Sequence, residues 1–309
     1  MMGIPIVCLM GPTATGKTAL AVELIQHFPF EIVSVDSVMI YRGMDIGSAK
    51  PDAETLKIAP HHLIDICDPK ASYSAAEFCR DANVKIAEIF SRGKIPLLVG
   101  GTMMYFHSFQ KGIATLPARD ELLREQLDKE GESVGWDNMH QRLRALDPEA
   151  AEKIHPHDRQ RIQRALEVCL ATGEKFSALK NHLSPTDHQV LNIILAPVDR
   201  ANLHEKIRLR FLAMLKMGLV DEVRYFYESG EFNLSMPSMR SLGYRQVWEH
   251  FENNSSFDDM CEKGIIATRQ FAKRQLTWLR SWQDAMWFNS DEEKLHSYVT
   301  EYIRKTVHR

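Results

Sequence analysis

The stretch GPTATGKT, residues Gly11 to Thr18, follows directly on an apolar run, IPIVCLM (residues 4–10). It fits the phosphate-loop pattern G-x-x-x-x-G-K-[ST], and a place between a buried strand and a helix is the context that gives the pattern meaning. Gly11 and Gly16 let the loop curl so that backbone N–H groups face inward. Lys17 supplies a cation for terminal phosphate oxygens, Thr18 can ligate magnesium, and the following helix N-terminus favours an anion. Such a loop reads a phosphate chain. It does not by itself say that the chain belongs to ATP or GTP.

Outward from the loop, a helix is expected over about Lys17–His27, then a second buried strand, EIVSVD (Glu31–Asp36). A helical stretch of about Ala75–Arg92 leads to a third strand, IPLLVGGT, and LNIILAP (Leu191–Pro197) reads as a fourth. Strands alternating with helices predict an α/β fold, a P-loop NTPase-like parallel sheet flanked by helices. Ligands in such sheets sit at the C-terminal strand ends. The loop, Asp36-Ser37 and Gly100-Gly101-Thr102 each follow a strand, so they are expected to converge on one pocket. From Pro117 to about residue 187 strand-like runs give way to charged helical periodicity, as in ELLREQLDKE and DRQRIQRALEVCLATG, with Asp158 as N-cap and Gly173 as the stop. Residues 117–187 therefore read as an all-helical insertion domain, with 1–116 and 188–309 forming the core, mostly helical after Pro197.

The net charge is −3, so nucleic acid would have to be met by a local basic face rather than by bulk attraction. The five cysteines contain no C-x-x-C, which argues against a structural zinc site or a disulfide framework and fits a reducing, cytoplasmic compartment. The apolar N-terminal run is too short to span a membrane. The pairs His61-His62 and His155/His157 lack further ligands for a metal and read as loop or cap residues.

Asp36 leaves three readings open. A carboxylate at a strand end beside a phosphate loop can ligate magnesium; it can act as a general base; or it can cap a turn. The long polar loop after it, VMIYRGMDIGSAKP, reads as built for a second ligand.

The segments GPTATGKT, VDSVMIYRGMDIGSAKP, YSAAEF, PLLVGGTMMYF, IHPHDRQRIQRALE, SLGYRQ and TRQFAKRQLTWLR occur in that order. Together they resemble the tRNA dimethylallyltransferases, the bacterial tRNA isopentenyltransferase family, from about Ile4 to Trp287. The resemblance implies that the loop holds the diphosphate of dimethylallyl diphosphate, a leaving group, with Mg2+ on Thr18. The implied acceptor is the N6 amine of the adenosine 3′-adjacent to the anticodon in tRNAs reading codons that begin with U. A tRNA anticodon stem-loop is the implied partner, and a monomer is expected. Asp36 then suits a base for the amine proton.

By the same resemblance, the diphosphate is bound by Gly11, Thr13, Ala14, Thr15, Gly16, Lys17, Thr18 and, from the far side, Arg210. Thr13 lies near the breaking bond. Arg210 could equally be a solvated helix arginine. The implied tRNA contacts include Asp36, Ser37, Val38 and Met39, and Thr102 at the channel where base and donor meet, although Thr102 also reads as a plain helix N-cap. Arg124, Gln160, Arg161 and Arg164 belong to this set in the insertion. Arg240, Gly243, Tyr244 and Arg245 form a loop suited to an unstacked base. Lys273, Arg274, Gln275 and Arg280 lie on a late helix, where Trp278 and Trp282 read as core. Basic residues spaced i, i+3 and i, i+4 form stripes fit for phosphates, against the bland alternative of solvated helix faces. Two rival functions share the loop: a P-loop small-molecule kinase, with the insertion as lid, and a nucleotide-switched RNA-binding protein.

Overall fold

The computed structural model describes residues 5–114, 116–117, 119–179 and 185–307. Ile4 and the stretch 180–184, read above as a strand start and part of the insertion, lie outside them. The chain divides into two compact units, Ser108–Thr186 and the remainder, so the helical unit starts earlier than Pro117.

The larger unit is built on six strands: β1 Ile6–Met10, β2 Phe30–Val35, β3 His61–His62, β4 Ile95–Gly100, β5 Val190–Ala196 and β6 Ala285–Asn289. All pairings are parallel, in the order β3-β2-β4-β1-β5-β6. β1, β2, β4 and β5 are buried along almost their whole length and mostly apolar, with Glu31, Ser34 and Asn192 as the polar exceptions, because both faces of a parallel sheet are covered. The helices are α1 Lys17–His27, α2 Ala53–Ile58, α3 Ala75–Ser91 and α4 Met103–Lys111, then α5 to α9 in the smaller unit. α10 Arg200–Lys216, α11 Leu219–Glu228, α12 Tyr244–Asn253, α13 Phe257–Leu279 and α14 Leu295–Val307 complete the larger unit. One face of the sheet buries Val7, Leu9, Leu97 and Ile193 against Leu20 and Leu24 of α1 and Val299 and Ile303 of α14. A second cluster joins Tyr41 and Met44 to Phe211, Val223, Tyr244 and Trp248. No described helix is long and apolar enough to cross a membrane.

Register decides what the sheet presents. Met10 pairs with Gly100, and Gly100 with Val35, so β1, β4 and β2 end level and side by side. The phosphate loop, Thr102 and Asp36 therefore leave three adjacent strands at one height.

Two strands escaped the sequence reading. β3 is two residues long, and β6 is an edge strand whose Met286 and Trp287 remain exposed, so neither forms a buried apolar run. Trp278 and Trp282 also differ from expectation. α13 ends at Leu279, before Trp282, and Trp278 is 39% exposed; both rings meet His107 edge-on.

The smaller unit holds α5 Glu121–Val134, α6 Trp136–Leu146, α7 Pro148–Lys153, α8 Arg159–Thr172 and α9 Phe176–Leu179. Leu127, Leu143, Ile162 and Leu166 form its core. Asp158 caps α8 by accepting from the Arg161 amide, and Gly173 ends it at φ 72°. Glu167 is buried, accepting from the Asp120 amide at 2.8 Å and Arg124 Nε at 2.9 Å, with Arg164 Nη1 2.9 Å away. Burial would raise its carboxyl; the bonds from Arg164, the Asp120 amide and Arg124 outweigh that and hold it below the usual carboxylate range. Removing a buried partner leaves two arginines uncompensated. Glu167→Ala should therefore destabilise this unit by about 3 kcal/mol or more, read as accelerated amide hydrogen exchange in α8; unchanged exchange there would contradict the assignment.

Candidate active site

α3, α5, α8, α10 and α13 each begin with a side-chain cap, but α1 does not. Its N-cap is Gly16 at φ 79°, a left-handed conformation that favours glycine, and its first turn carries no acidic residue. The N–H groups at its start are thus left for an external anion. Ala14 is also left-handed, at φ 64°, and packs beside Leu203 and Ile207 of α10 and Ala272 and Leu276 of α13. Thr15 turns inward and donates to the Pro12 carbonyl at 2.9 Å, a structural bond rather than a ligand contact.

Lys17 Nζ donates to the same carbonyl at 2.7 Å. Burial, then the nearby charge of Arg210, pull its pKa down to about 7, against an opposing pull from Asp36. Arg210, on α10, is likewise pulled below its ordinary value by burial and supported by Asp36. Two cations thus share one carboxylate. Asp36 Oδ1 accepts from the Val38 and Met39 amides at 2.8 and 3.2 Å, a turn that fixes the carboxylate plane. The turn reading is therefore realised at one oxygen, without using the other. Thr102 opens α4, its carbonyl accepting from Tyr105, while its hydroxyl accepts from the Ser37 amide at 3.1 Å. It joins the β2 and β4 ends instead of capping its helix by its side chain.

These groups line one cleft of about 940 Å³. The loop residues Thr13 to Thr18, Asp36 to Met39, Thr102, Arg210, Arg240, Gly243, Arg245, Arg274 and Gln275 all border it. The sequence reading missed the aromatic part of the wall, Tyr41, Tyr73, Tyr105 and Phe271, and also His61. His61 Nδ1 donates to the Ala59 carbonyl at 2.6 Å, which leaves Nε2 as an acceptor. Glu222 was missed as well. It accepts from the amides of Asp45, Ile46 and Gly47 and from the Tyr244 hydroxyl, anchoring the polar loop after Asp36 from 175–177 residues away in sequence. No local signal could have shown this.

Several expected nucleic-acid contacts have other partners. Tyr244 is fully buried against Glu222, so its ring is closed to base stacking. Gln275 is 4% exposed and bonded at both ends of its amide, to Thr13 and Gly101. Arg164 also donates to the Pro117 carbonyl, and with Arg124 it serves Glu167. Arg240, Gln160, Arg161, Lys273, Arg274 and Arg280 are exposed, with Arg161 beside Asp158; Arg245 is exposed but paired with Glu249.

Comparison with known proteins adds the family. The family model described as IPP transferase matches residues 39–282, and one described as isopentenyl transferase matches residues 4–67. The chain belongs to the IPP transferase family. It is 53% identical over 302 residues to a protein of Legionella pneumophila named tRNA dimethylallyltransferase, covering 97% of this chain and 96% of that one. It is 49% identical over 301 residues to one of the same name from Coxiella burnetii, covering 97% of each. Among solved structures it resembles the tRNA isopentenylpyrophosphate transferase of Bacillus halodurans, with TM-score 0.72, 34% identity and coverage of 99% and 97%. A eukaryotic dimethylallyltransferase acting on tRNA matches with TM-score 0.81 and 25% identity, covering 96% of this chain and 77% of that one.

The Lys17 environment fixes a pH dependence. Its depressed pKa means that the ammonium is lost as pH rises through about 7, and an anion in the loop must restore the proton. Binding of an alkyl diphosphate, whose phosphoryl ionisations finish near about pH 6–7, should take up close to one proton at pH 8. Calorimetry in two buffers of different ionisation heat measures this. Affinity should fall with pH above about 7, and Lys17→Met should abolish the uptake. Affinity flat from pH 7 to 9 without uptake would contradict it.

Proposed function

We propose that the chain transfers the dimethylallyl group of dimethylallyl diphosphate to the N6 amine of the adenosine 3′-adjacent to the anticodon, in tRNAs reading codons that begin with U. Diphosphate is released, and the chain acts as a monomer in the cytoplasm. The observation that carries this is the pairing, in one cleft, of an uncapped phosphate loop flanked by Lys17 and Arg210 with a carboxylate oriented by two backbone amides. Membership of a family whose relatives are named for this transfer supports it.

An adenine amine is a weak nucleophile because its lone pair is delocalised into the ring. As nitrogen attacks the allylic carbon, the carbon–oxygen bond breaks and its electron pair leaves with diphosphate. Lys17, Arg210 and the amides at the start of α1 meet that charge where it develops. Asp36, with Oδ1 held by Val38 and Met39, offers Oδ2 to the proton that leaves nitrogen. Magnesium fits the donor set present: Thr18 borders the cleft beside Lys17 and Asp36, and a magnesium ion would be held there by the Thr18 hydroxyl, phosphate oxygens and water. When bound it supplies further charge for the departing diphosphate. To reach the cleft the target base must leave its stack. Arg240 and Arg274 on the cleft wall, Lys273 on α13, Arg280 just past its end and Gln160 on α8 are exposed to the surrounding phosphates, as are Arg245 and Arg161, which would exchange their partners Glu249 and Asp158 for them. The kinase and nucleotide-switch readings find no support among these relatives.

Asp36→Asn keeps the shape and its two amide bonds but removes the proton acceptor. Single-turnover transfer to unmodified tRNA should fall about 100-fold or more, with tRNA affinity kept. Recovery of full rate by excess magnesium would assign Asp36 to the metal instead, and ATP turnover without tRNA would favour a kinase.

Salt dependence separates the arginines. Each phosphate contact contributes a slope of roughly −0.7 to −0.9 in log affinity against log salt. Arg161→Ala and Arg274→Ala should each flatten the slope by about one contact. Arg164→Ala should leave the slope alone and lower the stability of its unit. Equal slope changes in all three would reject this division.

A further inference from the structure

Gln275 lies in the second-to-last turn of α13, between the exposed Lys273 and Arg274 on one side and the buried Ala272 and partly buried Leu276 on the other. Its neighbours in sequence suggest a basic, RNA-facing surface, yet its side chain points the other way. Its Oε1 accepts from the Thr13 amide at 3.0 Å, and its Nε2 donates to the Gly101 carbonyl at 2.7 Å. The two partners follow β1 and β4, so one side chain closes the gap between the phosphate loop and the neighbouring strand end. We propose that Gln275 is a positioning residue for the phosphate loop, and that α13 thereby serves diphosphate binding through its buried face while its exposed face is free for nucleic acid. This rests on the transferase reading above and deepens it.

The chemistry is selective. Bridging an N–H and a C=O requires an acceptor and a donor on one side chain, which a carboxamide supplies. A glutamate would set a carboxylate oxygen against the Gly101 carbonyl, and an asparagine is one methylene short. Gly101 is fitted to the bridge: a Cβ there would lie 2.5 Å from Gln275 Nε2. The loop needs such a hold because Ala14, next to Thr13, sits at φ 64°, a conformation that costs a non-glycine residue free energy. Ala272 and Leu276 support Ala14 by packing, so the same helix face provides the apolar and the polar half of one brace. Without it, the Thr13 N–H and the Gly101 carbonyl lose their partner, and the loop loses the constraint that sets its curvature.

The test uses the full chain and four variants: Gln275→Met, Gly101→Ala, Gln275→Ala and the Gln275→Ala/Gly101→Ala double. Gln275→Met keeps the length and removes both bonds. Gly101→Ala leaves the surface of α13 chemically unchanged and displaces the amide from the other side. Binding of dimethylallyl diphosphate is measured by calorimetry without RNA, and tRNA affinity by titration across salt. Gln275→Met should weaken donor binding about 10-fold and raise the donor KM by the same factor, with tRNA affinity and salt slope within about twofold of the starting protein. Gly101→Ala should show the same pattern and carries the test alone if Gln275→Met does not fold. In a Gln275→Ala background, Gly101→Ala should add little, because the side chain it displaces is already gone. Loss of tRNA affinity with donor binding unchanged would make Gln275 a nucleic-acid contact and overturn the proposal. Equal loss of both ligands, or additive effects in the double variant, would overturn it too. Absence of carbon transfer by the unaltered chain given donor, magnesium and unmodified tRNA together would sink the transferase reading itself, a result visible before any variant is made.

Discussion

Three parallel strands ending at one level are the constraint on which the site depends. Val35, Gly100 and Met10 are aligned across β2, β4 and β1, so the carboxylate of Asp36, the hydroxyl of Thr102 and the phosphate loop emerge side by side. Hydrogen bonds then tie the three exits together: Thr102 to Ser37, and Gln275 to both Thr13 and Gly101. A slip of one residue in any of these pairings would turn every side chain of that strand to the opposite face and separate Asp36 from the phosphate loop. The runs IVCLM, FEIVSV and IPLLVG are buried by helices packed on the sheet, and their residue-by-residue pairing fixes the relative height of the three strand ends.

The electrostatics of the cleft follow from that arrangement. Lys17 and Arg210 are desolvated with Asp36 as shared counter-charge, and the cost shows in the pull on Lys17 down to about 7. A polyanion would relieve that cost, which is why the proposed diphosphate suits the site. The same accounting separates the remaining arginines by what they face. Arg124 and Arg164 neutralise the buried Glu167 and hold the helical unit together, whereas Arg161 and Arg274 lie exposed and keep their charge for an outside partner.

The sequence was most legible where physics is local. The bounds of α1, the Asp158 cap, the Gly173 stop and the three strand-end groups depend on short-range patterns, and all are found where the spacing places them. The edge strands β3 and β6 were not legible, because an edge need not be apolar and two residues carry no period. Tyr244 and Gln275 misled because their neighbours are basic and polar; what fixes them are partners such as Glu222 and Thr13, distant in the chain. Glu222 itself looks like any acidic residue in the first turn of a helix until the fold brings three amides to it. Periodicity reports which face of an element is buried, not which distant group it meets.

The central claim is that the phosphates in the loop leave and are not transferred. Dimethylallyl diphosphate labelled with one isotope in the carbon chain and another in phosphorus, incubated with the chain, magnesium and unmodified tRNA, tests it most directly. The account predicts all transferred carbon label on N6 of one adenosine and all the corresponding phosphorus label in free diphosphate. Phosphorus label in the RNA or in another acceptor would contradict it, as would diphosphate release without carbon transfer.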